Sequence, residues 1–74
     1  MNGKIKEEII QIRPPYITLG QFLKFVSIID EGYEAKNYLA THRVLINGEE
    51  DSRRGRKIYA SDIVEVQGRK FIIE

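Results

Sequence analysis

The sequence predicts an α+β domain in which a two-helix hairpin packs against a small, mainly antiparallel sheet of four to five short strands. Three observations lead there. Leu19, Phe22, Leu23, Val26 and Ile29 recur at helical spacing. Short β-branched runs such as Val44-Leu45-Ile46 and Ile63-Val64-Glu65-Val66 stand on either side of turn residues. Between two extended pieces lies Asn47-Gly48, a strong hairpin signal because a type I′ turn needs positive φ at both central positions. The 74 residues form one domain, 1–74, with material for a single core.

The chain opens with a strand over residues 4–12, marked by Ile5, Ile9, Ile10 and Ile12. Arg13-Pro14-Pro15-Tyr16 ends it, because proline donates no ladder hydrogen bond and fixes an extended connector. Thr18 begins the first helix as a capping box with Gln21: each side chain can satisfy the other residue's backbone N–H. Gln21 and Lys24 fall opposite the apolar stripe. Gly20 is anomalous in a first turn, where it costs up to ~1 kcal/mol against Ala; a close backbone neighbour would account for it.

Asp30-Glu31-Gly32-Tyr33 breaks the pattern. A second helix is expected from Glu34 to about Thr41, with Ala35, Tyr38 and Leu39 inward and Lys36, Ala40 and Arg43 outward. Its N-terminus at Gly32-Tyr33 offers free N–H groups to a phosphate. Val44–Ile46 then forms a strand before the Asn47-Gly48 turn. Ile58-Tyr59 is extended, Ala60-Ser61-Asp62 turns, 63–66 alternates as a strand, Gln67-Gly68-Arg69 turns again, and 70–73 closes the sheet.

Twelve cations and eleven anions give a net charge of +1, so any electrostatic contact must be a patch. One patch is evident: Arg53, Arg54, Arg56 and Lys57 place four cations in five residues. Arginine forks onto phosphate bidentately, and Gly55 lets the backbone turn sharply or approach a partner. On spacing alone, phosphate contact stands level with a solvated loop paired to Glu49-Glu50-Asp51. Three adjacent carboxylates on a hairpin cannot converge on one ion, so that acidic run reads as solubilising. His42 is the sole imidazole and there are no cysteines, which leaves no metal-ligating or nucleophile–base set. Tyr33 and Tyr59 are free to stack on unpaired bases, whereas Tyr38 belongs to the core by its spacing. The N-terminal residues carry no signal-peptide segment and no apolar run could span a bilayer, so a cytoplasmic location is expected.

Taken in order, Thr18-Leu19-Gly20-Gln21-Phe22-Leu23-Lys24, Gly32-Tyr33-Glu34-Ala35-Lys36, Val44-Leu45-Ile46-Asn47-Gly48-Glu49 and Arg53-Arg54-Gly55-Arg56-Lys57 resemble the S-four RNA-binding domain, or alpha-L motif. The likeness is to its small stand-alone bacterial type, YaaA-like and YbcJ-like. It covers 18–66 and leaves the flanking strands 4–12 and 70–73 outside. The resemblance implies a surface that grips structured RNA, ribosomal RNA or a ribosome-maturation intermediate among them. Carried over by position, its contacts are Lys36, Arg43, Arg53, Arg54, Arg56 and Lys57, with Gln21, Lys24 and Tyr33 as weaker candidates. Two positions depart from the family pattern. Tyr33 stands where a second glycine is common, and Ser61 precedes Asp62 where Gly-Asp is usual.

The expectation is therefore a non-enzymatic RNA-binding protein with no catalytic residue, metal or cofactor, no small-molecule substrate and no membrane association. A monomer is favoured. The alternative is a small adaptor whose basic loop docks an acidic protein partner.

Overall fold

A computed structural model describes residues 6–13 and 15–74. Its main sheet has five strands: β1 (Lys6–Ile10), β3 (Val44–Ile46), β4 (Glu49–Glu50), β6 (Ile63–Val66) and β7 (Arg69–Ile73). They lie in the order β1-β7-β6-β3-β4. A second, two-stranded sheet pairs β2 (Ile17–Thr18) with β5 (Lys57–Ile58). Two seven-residue helices, α1 (Leu19–Phe25) and α2 (Ala35–Thr41), complete the α+β architecture. Among the described residues no helix is long and apolar enough to cross a membrane.

Most strand pairs are antiparallel, but β1 runs parallel to β7, from Lys6 opposite Arg69 to Ile10 opposite Ile73. Of the strand expected over 4–12, Gln11 and Ile12 fall beyond its end, and Lys4 and Ile5 lie outside the described residues. Glu8 and Arg69 tie the two strands through contacts of 2.7 and 2.9 Å. The Arg69 guanidinium holds the Glu8 carboxyl below its ordinary pKa.

Both hairpin turns have the conformation that their residues suggest. Asn47 and Gly48 have φ of 54° and 85°, Gln67 and Gly68 of 53° and 71°. Asn47 also ties its turn to the next one. Its side-chain amide donates to Asp62 Oδ1 at 3.1 Å while its Oδ1 accepts from the N–H of Ile63 at 2.9 Å. Ser61, where the family pattern has glycine, has a φ of 81°.

The core fills the space between helices and sheet. Leu19, Phe22 and Leu23 of α1 meet Val44, Ile46, Val64, Val66, Phe71 and Ile73 of the strands. Phe22 and Phe71 pack edge to face with centroids 5.0 Å apart. The helical periodicity overshoots the helix itself. Helix α1 ends at Phe25, Ser27 turns left-handed at φ 63°, and Ile29 is buried from the following loop. Val26 is only half-buried. A 3₁₀ turn, Gly32–Glu34, leads into α2.

Candidate nucleic-acid interface

The basic loop is held by its backbone. A helix begins with N–H groups that have no partner inside the helix, and in α1 the loop supplies the partners. The N–H of Leu19 donates to the carbonyl of Arg56 and that of Gly20 to the carbonyl of Arg54, both at 2.8 Å. Thr18 and Gln21 complete the predicted capping box at 3.0 and 3.3 Å. The β2–β5 pair, with Thr18 opposite Lys57, fastens the end of the loop to the same helix start.

Gly20 is explained by this arrangement. A Cβ there would meet the Arg54 carbonyl oxygen at 3.3 Å and the Cβ atoms of Ala35 and Arg54 at 3.4 Å. Of the two expectations at Gly55, a sharp turn or a close approach, the structure shows the turn. That residue has open space around it and no positive φ, in a turn closed by the Arg56 N–H on the Arg53 carbonyl at 3.1 Å. The glycine needed for proximity lies on the helix facing the loop.

The side chains divide into two pairs. Asp51 receives the backbone N–H of Arg53 at 2.9 Å and its guanidinium at 3.1 and 2.8 Å. Arg56 reaches the same carboxylate at 3.3 Å. The Asp51 side chain is only 14% exposed, and the Arg53 guanidinium holds its carboxyl below the ordinary carboxylate range. The acidic run is thus more than solubilising at its last member. Arg54 and Lys57 make no ion pair among the described residues, and both are exposed. The Lys57 ammonium lies 5.0 Å from the centre of the Tyr16 ring.

Around this loop the other candidates are unevenly distributed. Ala35 meets Gly20 beside Arg54, so the start of α2, with exposed Lys36, adjoins the loop. Arg43 lies past the end of α2 rather than on its outward side, and it faces Glu50 at 3.6 Å. Gln21 and Lys24 share the exposed side of α1 with Phe25, at i, i+3 and i+4. Tyr33 is 77% exposed in the 3₁₀ turn. That turn is a poor phosphate site. Asp30, Glu31 and Glu34 surround it, and the Glu34 N–H is already given to the Glu31 carbonyl at 3.0 Å. Tyr38 is half-buried rather than fully in the core, stacked on His42 with parallel rings 4.1 Å apart.

Of the pairing expected between the loop and Glu49-Glu50-Asp51, Asp51 supplies the contacts to Arg53 and Arg56, whereas Glu50 faces Arg43. Sequence reasoning did not single out Phe25. Phe25 puts a large ring, 60% exposed, on the polar side of α1; it falls outside the stripe of apolar spacing, and that was its signal.

The S4 domain family matches residues 10–74. The chain is also 52% identical over 59 residues to the probable ribosome maturation protein RlbA of Bacillus subtilis (strain 168), covering 80% of this chain and 83% of that protein. These two matches establish that the chain belongs to the S4 domain family.

Proposed function

We propose that the protein binds structured RNA without enzymatic activity, as a ribosome-related factor acting on ribosomal RNA or a maturation intermediate. Its contact surface is the basic loop together with Lys36 at the start of α2, and Arg43 extends it at the far end. One observation carries the reading. The loop backbone is anchored at two carbonyls to the first turn of α1, while its four cationic side chains take no part in that anchoring. The anchored backbone presents these side chains as a fixed patch, which lowers the ordering entropy lost when phosphates bind. The name of the relative from Bacillus subtilis supports the ribosomal setting. The resemblance favours RNA over DNA, since no base-reading pattern is evident in the loop.

The test replaces Arg54 and Lys57 together with Gln, leaving the Asp51 cluster intact. Each lost phosphate contact lowers the log–log salt slope by about 0.7–0.9, so the double variant should lose about 1.4–1.8. Its thermal melt should match that of the unaltered protein. An RNA titration with unchanged slope and affinity would remove the loop from the interface.

A further inference from the structure

Beside the loop, on the exposed side of α1, runs a groove of about 700 Å³, within the ~300–1,000 Å³ typical of small-ligand sites. Gln11, Ile12, Arg13, Tyr16 and Ile17 form one wall, and Gln21, Lys24 and Phe25 the other. Its surface is mostly apolar, yet two of its lining residues are cations and none is acidic. Lys57 of the basic loop adds a third cation through its contact with the Tyr16 ring. Tyr59 extends the aromatic surface, its ring centre 5.8 Å from that of Tyr16.

Aromatic rings interleaved with cations, and free of carboxylates, suit a flat ring that carries negative charge on its backbone. An apolar protein side chain would gain from Phe25 but would bring nothing to Arg13 and Lys24. Paired bases keep their faces stacked inside the helix and cannot enter such a groove; an unpaired base can. Continuity with Lys57 puts the groove within reach of an RNA already held by the loop.

We propose that this groove receives one unpaired base of the bound RNA, stacked against Phe25 and Tyr16, with Arg13 and Lys24 taking the adjoining phosphates. The inference rests on the RNA reading above and deepens it: the ligand is structured RNA with an extruded nucleotide next to a helix, rather than uninterrupted duplex. The rings supply stacking, which every base can accept, so the groove selects for an unpaired nucleotide and not for its identity.

The experiment compares an RNA hairpin carrying a single bulged adenosine with its bulge-free counterpart, titrated into the full chain and into Phe25→Leu and Phe25→Trp. Stacking of one base should favour the bulged RNA by roughly 5- to 150-fold. Phe25→Leu should lose most of that preference while binding the paired RNA as before, and Phe25→Trp should keep it. The chain has no tryptophan, so F25W also introduces a unique fluorophore, which the bulged RNA should quench and the paired RNA should not. Equal affinity of the unaltered protein for both RNAs would overturn the inference and leave the RNA reading standing. So would a preference that survives in F25L, or an F25L defect shared equally by both RNAs. If F25L instead lost a nuclease-resistant protein partner with both RNA affinities unchanged, the groove would be a protein site and the inference would be wrong. If neither RNA bound at any salt concentration, the RNA reading itself would fail and take the inference with it.

Discussion

Replacing Asp51 with Asn tests how many of the four loop cations are available to phosphate. In the structure one carboxylate serves both Arg53 and Arg56, so the loop from Asp51 to Lys57 carries four positive charges and one negative. If phosphates sense the net charge, the loop releases three contacts' worth of counterions and contributes about −2.1 to −2.7 to the salt slope, at 0.7–0.9 per contact. Through the loop alone, a fourfold rise in salt then weakens binding about 20- to 40-fold. Asparagine keeps an oxygen for the Arg53 N–H but removes the charge, so four contacts' worth is released. The loop's contribution should steepen to about −2.8 to −3.6, and the same salt change should then cost about 50- to 150-fold through the loop. Anisotropy titrations of one RNA hairpin over a salt series read both slopes. The variant should bind more tightly at low salt and melt at a lower temperature, because two charge-assisted contacts are gone. An equal or shallower slope in a folded D51N protein would refute this reasoning. Asp51 would then aim the guanidinium groups rather than neutralise them.

Three other outcomes are expected. Thermal melts should be insensitive to pH from neutrality down to about pH 5 and then fall. Asp51 and Glu8 have folded-state pKa values lowered chiefly by Arg53 and Arg69, so their contribution is present above the unfolded-state values and lost as pH drops through the folded ones; a melting temperature that rises below pH 4 would contradict this. Leu23→Ala opens a cavity at a fully buried position and should cost ~2–5 kcal/mol by urea denaturation, enough to leave much of so small a domain unfolded. Ser61→Gly relieves a side chain held at φ 81° and should add about 0.5–1 kcal/mol, or about 2–8 °C in melting temperature, with no change in RNA affinity.

The parts of the fold that the sequence announces are those settled within a few residues. The Thr18–Gln21 box, the Asn47-Gly48 turn and the alternation of 63–66 each depend on short-range geometry, and each forms as its residues suggest. What it does not announce depends on partners far along the chain. The parallel pairing of β1 with β7 joins strands about sixty residues apart, and nothing in Lys6–Ile10 says which neighbour it will take. Ile29 continues the stripe of α1 in sequence, yet reaches the core from a loop after the Ser27 turn, because burial and not helical continuity is what its side chain requires. The candidate site divides in the same way. The cluster of cations was legible as a composition, while the sorting of Arg53 and Arg56 onto Asp51 needed the loop's shape.

That shape gives Gly20 its meaning. The first two N–H groups of α1 need acceptors, and a side-chain cap at Thr18 reaches only the third helical residue. The loop's carbonyls fill the gap, and the chain comes so close to the helix that a Cβ at position 20 would press it back by a few tenths of an ångström. One missing methyl group therefore couples the stability of a core helix to the position of the basic loop. It also separates backbone from side chain: the carbonyls of Arg54 and Arg56 cap a helix whose Leu19, Phe22 and Leu23 build the core, while the side chains of Arg54 and Lys57 stay exposed, Lys57 beside the Tyr16 ring. If the loop is the proposed RNA surface, substitutions there should change binding without touching what holds the domain together, an independence that Asp51 does not share.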